Sequence, residues 1–520
     1  MTQFRITYSV MDADMSALHE GFESALQAAR ALTPVRLTSW IDHQPVATGR
    51  VHAQTGPANT AEVISETEQA GPTELNRAMA GARRAFPDWA ATPVADRAAV
   101  VKRAADLISA RRMHLAAAMA LEVGKNRLEC LGDVEEAADL LRYYADQILN
   151  AGGWEHPLTR LTPNEDTRSV LRPYGVFGVI SPFNFPSALP AGMSGAAILA
   201  GNTVVLKPAD KAPWSAHLMV EALRDAGLPA GVLQLLQGDG PGLGEALARH
   251  PELDGIAFTG STDVGMGLFR ILTEGRVRPC LLEMGGKNAC IIDQDAHLDD
   301  AIEGCTKSAF GLSGQKCSAL SRLYVHRSHW QTVVDALVAR AEAVRIGPPD
   351  HRDHWMGPVI DAAARRRHHD ASEEAHALGA LRTGGVCEDA GLPPGHWVAP
   401  TVTTLPVGHP LHHRELFLPF VDMQPMDDLA DGLRRANAAP YGLTAGYYGA
   451  SEEGVQRFLE GIEAGCVYVN RRAGATTGAW PGVQAFCGWK ASGSTGKGGC
   501  GPWYVSQFLR EQSRTRVFSA

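Results

Sequence analysis

Residues 175–207 read GVFGVISPFNFPSALPAGMSGAAILAGNTVVLK. The run at 175–180 is short and apolar, the stretch over about 187–200 suits one helix, and 203–207 is a second short apolar run. Apolar runs of four to six residues joined by a single helix belong to strands covered on both faces, as in a parallel sheet flanked by helices. The unit repeats toward the C-terminus. Runs at 232–236 and 255–258 alternate with helix-like segments at about 213–226, 241–249 and 263–274. A second block has runs near 289–292, 321–325, 397–404, 442–448 and 465–469, separated by helices at 327–344, 427–437 and 451–463. Two successive blocks predict an α/β fold of two domains with a cleft between them.

Toward the N-terminus, 40–64 reads as short strands and turns. Helix-period segments follow at 73–89 and 94–121, where Val100, Val101, Ala104, Leu107, Ile108 and Leu115 recur at three- and four-residue spacing. A third helix spans about 127–149. The Gly-, Pro- and polar-rich stretch 152–167 reads as a loop or an excursion from the body, and 1–35 as a polar helical appendage.

The chain has 520 residues, which at roughly 100–200 per domain allows two to four domains. Its 45% hydrophobic and 20% charged content excludes a disordered or fibrous chain. With 48 basic and 57 acidic side chains the net charge is −9, so no nucleic-acid partner is expected. Nine cysteines do not form a disulfide framework, and each reads by default as a small buried hydrophobe. The first twenty residues are acidic where a targeting peptide would be basic, and no stretch reaches the ~18 apolar residues of a membrane helix. The expectation is a soluble, cytoplasmic protein with no membrane partner.

Two motifs read as decoys. GKGGCG at 496–501 matches GxGxxG without a strand–turn–helix unit around it, and reads as a mobile glycine-rich loop. The adjacent pairs His368, His369 and His412, His413 lack partners at ligand spacing and read as solvated faces, so no metal is expected. Three other segments carry chemistry. In SGQKCSA at 313–319, Cys317 sits among small and polar residues, which suits an accessible nucleophile. In LLEMGG at 281–286, Glu283 ends an apolar run at a glycine turn, where burial raises a carboxyl toward the range of a general base. In SPFNFP at 181–186, Asn184 lies at a strand's C-terminal end, the ligand edge of a parallel sheet. Singly, an ion-paired acid and a turn asparagine are ordinary. Together, a thiol, a carboxylate and an amide can attack a carbonyl, activate water and support an oxyanion.

From about residue 38 onward the chain resembles the aldehyde dehydrogenase superfamily. The resemblance rests on PFNFP at 182–186, NTVVLKPAD at 202–210, GLPAGV at 227–232, FTGSTDVG at 258–265, LEMGGKN at 282–288, GQKCSA at 314–319 and PYGLTAG at 440–446. Within it, the GQKCSA context and the tract TGAWPGVQAFCGWKASGS at 477–494 are most similar to the L-glutamate γ-semialdehyde (1-pyrroline-5-carboxylate) dehydrogenases. The resemblance implies a Rossmann-type NAD-binding domain (38–153 and 173–284), an α/β catalytic domain (285–485) and a small β flap for oligomerisation (154–172 and 509–520). Residues 1–37 are left as an N-terminal extension, and a homo-oligomer is expected.

The resemblance also assigns roles. Cys317 would attack a small-molecule aldehyde, giving a thiohemiacetal and then a thioester. Asn184 and the Cys317 N–H would hold the oxyanion, and Glu283 would activate water. For the cofactor, Lys207 and Asp210 match the ribose-binding pair, and the acid would repel a 2′-phosphate, favouring NAD over NADP. Gly260 and Ser261 would meet the pyrophosphate, and Glu415 and Phe417 the nicotinamide ribose, with Leu418 where the family has glycine. Ser318, Gly478 and Ala479 would hold the substrate carboxylate, Phe185 and Phe486 would line its chain, and Glu136 would meet its ammonium group. Ala485 stands for a proline and Cys487 for a glycine, with Trp480 and Pro481 beside the anchor. A pocket reshaped there would take another carboxylated semialdehyde, such as N-succinylglutamate semialdehyde. A catalytically silent scaffold is the alternative from a different class.

Overall fold

The computed structural model describes residues 16–387 and 391–519. Helices precede the parallel strands of the first large sheet: α1 (Ser16–Leu32), α2 (Pro72–Ala91), α3 (Val94–Ala110), α4 (Arg112–Val123) and α5 (Arg127–Asn150). Where one helix was expected over 94–121, the chain breaks at Arg111 (φ −95°, ψ 9°) into α3 and α4. Apolar spacing continues across the break, so periodicity alone could not show it. Nor is the N-terminal segment a polar appendage. Phe22, Leu26 and Ala29 form an i, i+4, i+7 stripe that is buried, and α1 packs on α4. Residues 1–15 of that expectation lie outside the described residues.

The first sheet holds β1 (Ser39–Ile41), β2 (Gln44–Val46), β3 (Val176–Ile180), β4 (Thr203–Lys207), β5 (Leu233–Leu235), β6 (Gly255–Thr259) and β7 (Cys280–Glu283). Their order is β7-β6-β3-β4-β5-β1-β2, parallel from β7 to β5 and antiparallel at β1 and β2. Every residue of β3 and β4 is buried, because helices cover both faces. These crossovers are α6 (Ala188–Ala200), α7 (Pro213–Asp225), α8 (Gly240–Arg249) and α9 (Thr262–Thr273). From β3 the chain adds β4 and β5 on one side, then returns to add β6 and β7 on the other. The crevice at the carboxyl ends of β3 and β6 is therefore the topological switch point, where open α/β sheets bind ligands.

The second sheet holds β8 (Asn288–Ile292), β9 (Leu320–His326), β10 (Leu381–Gly385), β11 (Ala399–Thr403), β12 (Phe420–Met426), β13 (Thr444–Tyr448) and β14 (Cys466–Val469). The order is β10-β11-β12-β9-β8-β13-β14, parallel except at β10. Central strand β12 was not expected, because Asp422, Gln424 and Pro425 interrupt its apolar run. Buried Asp422 is accommodated by the Thr403 hydroxyl (2.8 Å) and the Leu405 N–H (2.7 Å). The helices α10 (Leu298–Phe310) and α12 (Ala362–Ala377) were also unexpected, and they flank α11 (Trp330–Glu342) in the chain. The inner face of α12 is Ala364, His368, Ala371, Ser372 and Ala375, too small and polar to show as an apolar stripe.

The histidine pairs are not simply solvated faces. His368 is buried with Nε2 3.0 Å from the Thr401 hydroxyl. His412 is buried 3.3 Å from the Asp422 carboxylate and hydrogen-bonds Gln424, while His369 and His413 face solvent.

A third, three-stranded antiparallel sheet joins 155–157, 165–173 and 509–517, the last two pairing along their whole length. Among the described residues no helix is long and apolar enough to cross a membrane.

Candidate active site

Strand register delivers one group of residues to the carboxyl edge of the first sheet. Ile180 pairs with Lys207, Phe258 with Ile180, and Thr259 with Glu283. Lys207 is buried, which lowers its ammonium pKa against the opposing charges of Asp210 and Asp239. Asp210 is exposed three residues beyond it. Ser261 caps the N-terminus of α9, its hydroxyl accepting from the Val264 N–H at 3.5 Å. Gly260 donates its N–H to the Glu283 carbonyl (3.1 Å), so it braces the strand end. Across the cleft, Glu415 accepts from the Gly286 N–H (2.9 Å), and burial pushes its carboxyl up to about 7. Phe417 has a left-handed backbone (φ 60°) and sets its ring edge-on to Phe183 at 6.0 Å. A buried ammonium, an exposed carboxylate and a helix start at the switch point form a donor set that fits a dinucleotide.

The nucleophile loop follows α10. Leu312, Ser313 and Gly314 take left-handed conformations in succession (φ 52°, 54° and 66°), and the two non-glycine residues cost of order 1–3 kcal/mol each. Gly314 is obligatory, because a Cβ there would lie 2.1 Å from the Leu418 carbonyl oxygen. Leu418, at the position of the family's glycine, is thus buried against the turn it shapes. The Ser313 hydroxyl ties the loop to the Gly357 carbonyl at 2.8 Å. Asn288 Nδ2 donates to the carbonyls of Cys317 (2.7 Å) and Ala319 (2.8 Å). Cys317 emerges half-buried. Burial pushes its thiol up to about 12, helped by the charges of Glu415 and Glu283 and opposed by the N–H groups of Ser318 and Cys317 itself. Those N–H groups are the backbone donors an oxyanion needs.

The opposite wall is the segment 184–188. Asn184 is buried, with Nδ2 donating to the Gln315 carbonyl (2.9 Å) and Oδ1 unpartnered. An amide nitrogen carries two hydrogens, so one remains for a ligand. The Asn184 carbonyl accepts from Lys125 Nζ at 2.9 Å, and Lys125 pairs with Asp133 at 2.9 Å, both side chains fully buried. Asp133 also accepts from the Ala188 N–H (2.7 Å), and Lys125 Nζ stands 4.1 Å from the Phe185 ring centre. Sequence reasoning missed this pair. The available signal was the 133, 136, 140, 144 spacing along α5, which puts Asp133, Glu136, Leu140 and Tyr144 on one face.

Between the walls lies a cavity of about 120 Å³. Cys317, Glu283, Ser318, Gly478, Ala479, Phe185, Phe486 and Glu136 all line it. Asn184 and the residues expected at the cofactor do not line it. They lie behind the loop, along the sheet edge or, for Glu415 and Phe417, across the cleft from it. Glu283 Oε2 is buried without a partner, and burial raises its carboxyl well above the ordinary range despite the Gly488 N–H.

Tyr144, Thr477, Gly499, Cys500 and Tyr504 also line the cavity and were not anticipated. The Tyr144 and Tyr504 rings stack at 5.4 Å. The glycine-rich stretch at 496–501 is thus part of the site wall, and Gly499 accepts from the Phe486 N–H at 2.8 Å. Gly478 has φ 110° and is crossed by Arg471, which donates to the Thr477 carbonyl at 2.5 Å. Trp480 turns away toward α5, its indole N–H on Asp139 at 2.9 Å. Cys487 also stays outside the cavity, its thiol on the Gly465 carbonyl at 3.1 Å.

The family model described as "Aldehyde dehydrogenase family" matches residues 43–513. The chain belongs to this family. A 1-pyrroline-5-carboxylate dehydrogenase of Geobacillus sp. is 34% identical over 515 residues, 98% of either chain. The crystal structure of the Thermus 1-pyrroline-5-carboxylate dehydrogenase with bound NAD is 33% identical, with all of both chains covered and a TM-score of 0.93. Proline utilization A of Bdellovibrio bacteriovorus is 35% identical with a TM-score of 0.91. There, this aldehyde dehydrogenase chain covers 96% of itself but spans only 52% of that protein.

Proposed function

We propose that the protein oxidises L-glutamate γ-semialdehyde to L-glutamate with NAD, as a cytoplasmic homo-oligomer acting at the second oxidative step of proline breakdown. The observation that carries the reading is the single cavity holding Cys317, Glu283, Ser318 and the 478–479 backbone together, with Glu136 also on its wall. The names of the full-length relatives and the NAD-bound Thermus structure support the substrate and cofactor. In this reading 38–153 with 173–284 binds the cofactor, 285–485 carries the nucleophile, and 154–172 with 509–520 meets another subunit.

The chemistry follows from the geometry. Cys317 Sγ bonds to the aldehyde carbon, and the carbonyl electron pair moves to oxygen, facing the Cys317 N–H and the second Asn184 N–H. The thiol proton leaves to solvent, so that Glu283, whose carboxyl burial raises above its ordinary range, is kept for the hydrolytic step. NAD, when bound, supplies the hydride acceptor, held by Lys207, Asp210, Ser261, Glu415 and Phe417. The remaining acyl group is a thioester on Cys317. Glu283 then takes a proton from water as its oxygen attacks, the C–S bond breaks, and glutamate leaves. Ser318 and the N–H groups of Gly478 and Ala479 hold the α-carboxylate, while Phe185 and Phe486 flank the chain.

Comparing kcat/KM across glutamate, N-succinylglutamate and ω-amino semialdehydes tests the substrate. Glutamate semialdehyde is expected to lead by at least ~10-fold, the scale of one lost polar partner. Preference for the succinylated compound would overturn the assignment, and inactivity on all of them would restore the scaffold reading. Cys317→Ala is expected to abolish NADH formation while NAD binding survives.

A further inference from the structure

A second cavity of about 390 Å³ lies away from the active site, where the start of α5 meets α10, α11 and the segment 343–355, with His19 of α1 on its rim. Its wall is basic in an acidic chain. Arg127, Lys307, Arg340, Arg345 and Arg352 all line it. Glu303 and Asp353 line it as well, and Glu23 reaches Arg127 and Arg352 from α1. Five cations against three carboxylates leave an excess of positive charge, although the whole chain carries −9.

Arg127 is nearly fully buried. Its Nη groups reach Glu23 (2.9 Å) and the Asp350 carbonyl (2.6 Å), but its Nε is buried with no partner. A charged donor left buried and unmet is destabilising, so the unmet N–H marks an unfilled acceptor position. The N-terminus of a 24-residue helix opens on the same space, with Asn126 and Arg127 on the wall, and its dipole favours an anion. Burial, then the charges of Arg127 and Arg352, hold the His19 imidazole below its ordinary range, as a positive field would.

We propose that this cavity binds a small phosphate-bearing anion, such as a phosphate ester or a pyrophosphate group, at a site separate from the catalytic one. Four of the five cations are arginines, whose planar forks match phosphate oxygens in pairs. The exposed rim arginines, Arg340 and Arg345, admit the ligand, and Arg127 closes the inner end.

The test is calorimetric titration of the NAD-saturated enzyme with inorganic pyrophosphate and, separately, with citrate. Saturation with NAD keeps the nucleotide's own pyrophosphate position occupied. Pyrophosphate is expected to bind, and Arg340→Ala/Arg345→Ala is expected to weaken it at least ~10-fold with kcat and the KM for NAD unchanged. These two side chains are about half or more exposed, so the variant folds, whereas replacing Arg127 would remove its buried contacts to Glu23 and the Asp350 carbonyl. No binding to the wild type, or equal binding to the double variant, would overturn the site. Binding of citrate alone would overturn the phosphate class.

Discussion

The two walls of the active-site cavity are held in place by different physics. The nucleophile loop is fixed by its backbone, with three consecutive left-handed residues and a glycine pressed on the Leu418 carbonyl. The facing segment 184–188 has no such strain. It is fixed by the buried Lys125–Asp133 pair, which holds the Asn184 carbonyl and the Ala188 N–H. The contrast teaches that a nucleophile can be aimed by conformation, whereas an amide that must stay free to donate is aimed through its own main chain. Buried pairs add little net stability, but removing one partner is costly. Burial pushes the Asp133 carboxyl upward even beside Lys125, so this pair serves position more than stability.

Substitutions can separate the walls. Gly314→Ala meets both the positive φ and the Leu418 carbonyl. It is expected to lower kcat by ~10²-fold or more, the scale of an ångström-level misplacement, and to change the rate at which iodoacetamide labels Cys317. Asn184→Ala removes a single oxyanion donor. A kcat loss on the order of 10²-fold is expected, with the labelling rate intact. Lys125→Met leaves Asp133 uncompensated, so urea unfolding should show a loss of about 3–5 kcal/mol. Lys125→Met/Asp133→Leu should recover most of that stability but not kcat, because the Asn184 carbonyl still lacks its anchor. Full recovery of both would make the pair merely structural.

The smallest effect concerns pH. The thiol's displacement to about 12 means that thiolate is a minor species at neutrality. Labelling of NAD-free protein should therefore climb about tenfold per pH unit from 7 to 9. A plateau below pH 9 would contradict that environment.

Much of this was legible in the sequence where local pattern and burial agree. Strands β3, β4 and β6 are continuous apolar runs up to their carboxyl ends, which bring Asn184, Lys207 and Ser261 to one edge. Reading failed where long-range pairing compensates for local polarity. Strand β12 hides Asp422, whose partners Thr403 and Leu405 are distant in sequence. Helix α12 turns a histidine inward, and α1 conceals three buried residues among polar ones. Lys125 and Asp133 carry no sequence reading, because nothing local announces that the 184–188 segment will cover them. The glycine-rich stretch at 496–501 was likewise unreadable, since only tertiary packing sets Gly499 and Cys500 against the substrate cavity.

The division of labour between Cys317 and Glu283 is the centre of the account, and one measurement reaches it directly. Glu283→Gln, mixed with NAD and glutamate semialdehyde, is expected to release about one NADH per active site in a burst and then stall. Intact-protein and peptide mass spectrometry should find the acyl group on Cys317. Undiminished steady turnover, or an adduct on any other cysteine, would contradict it.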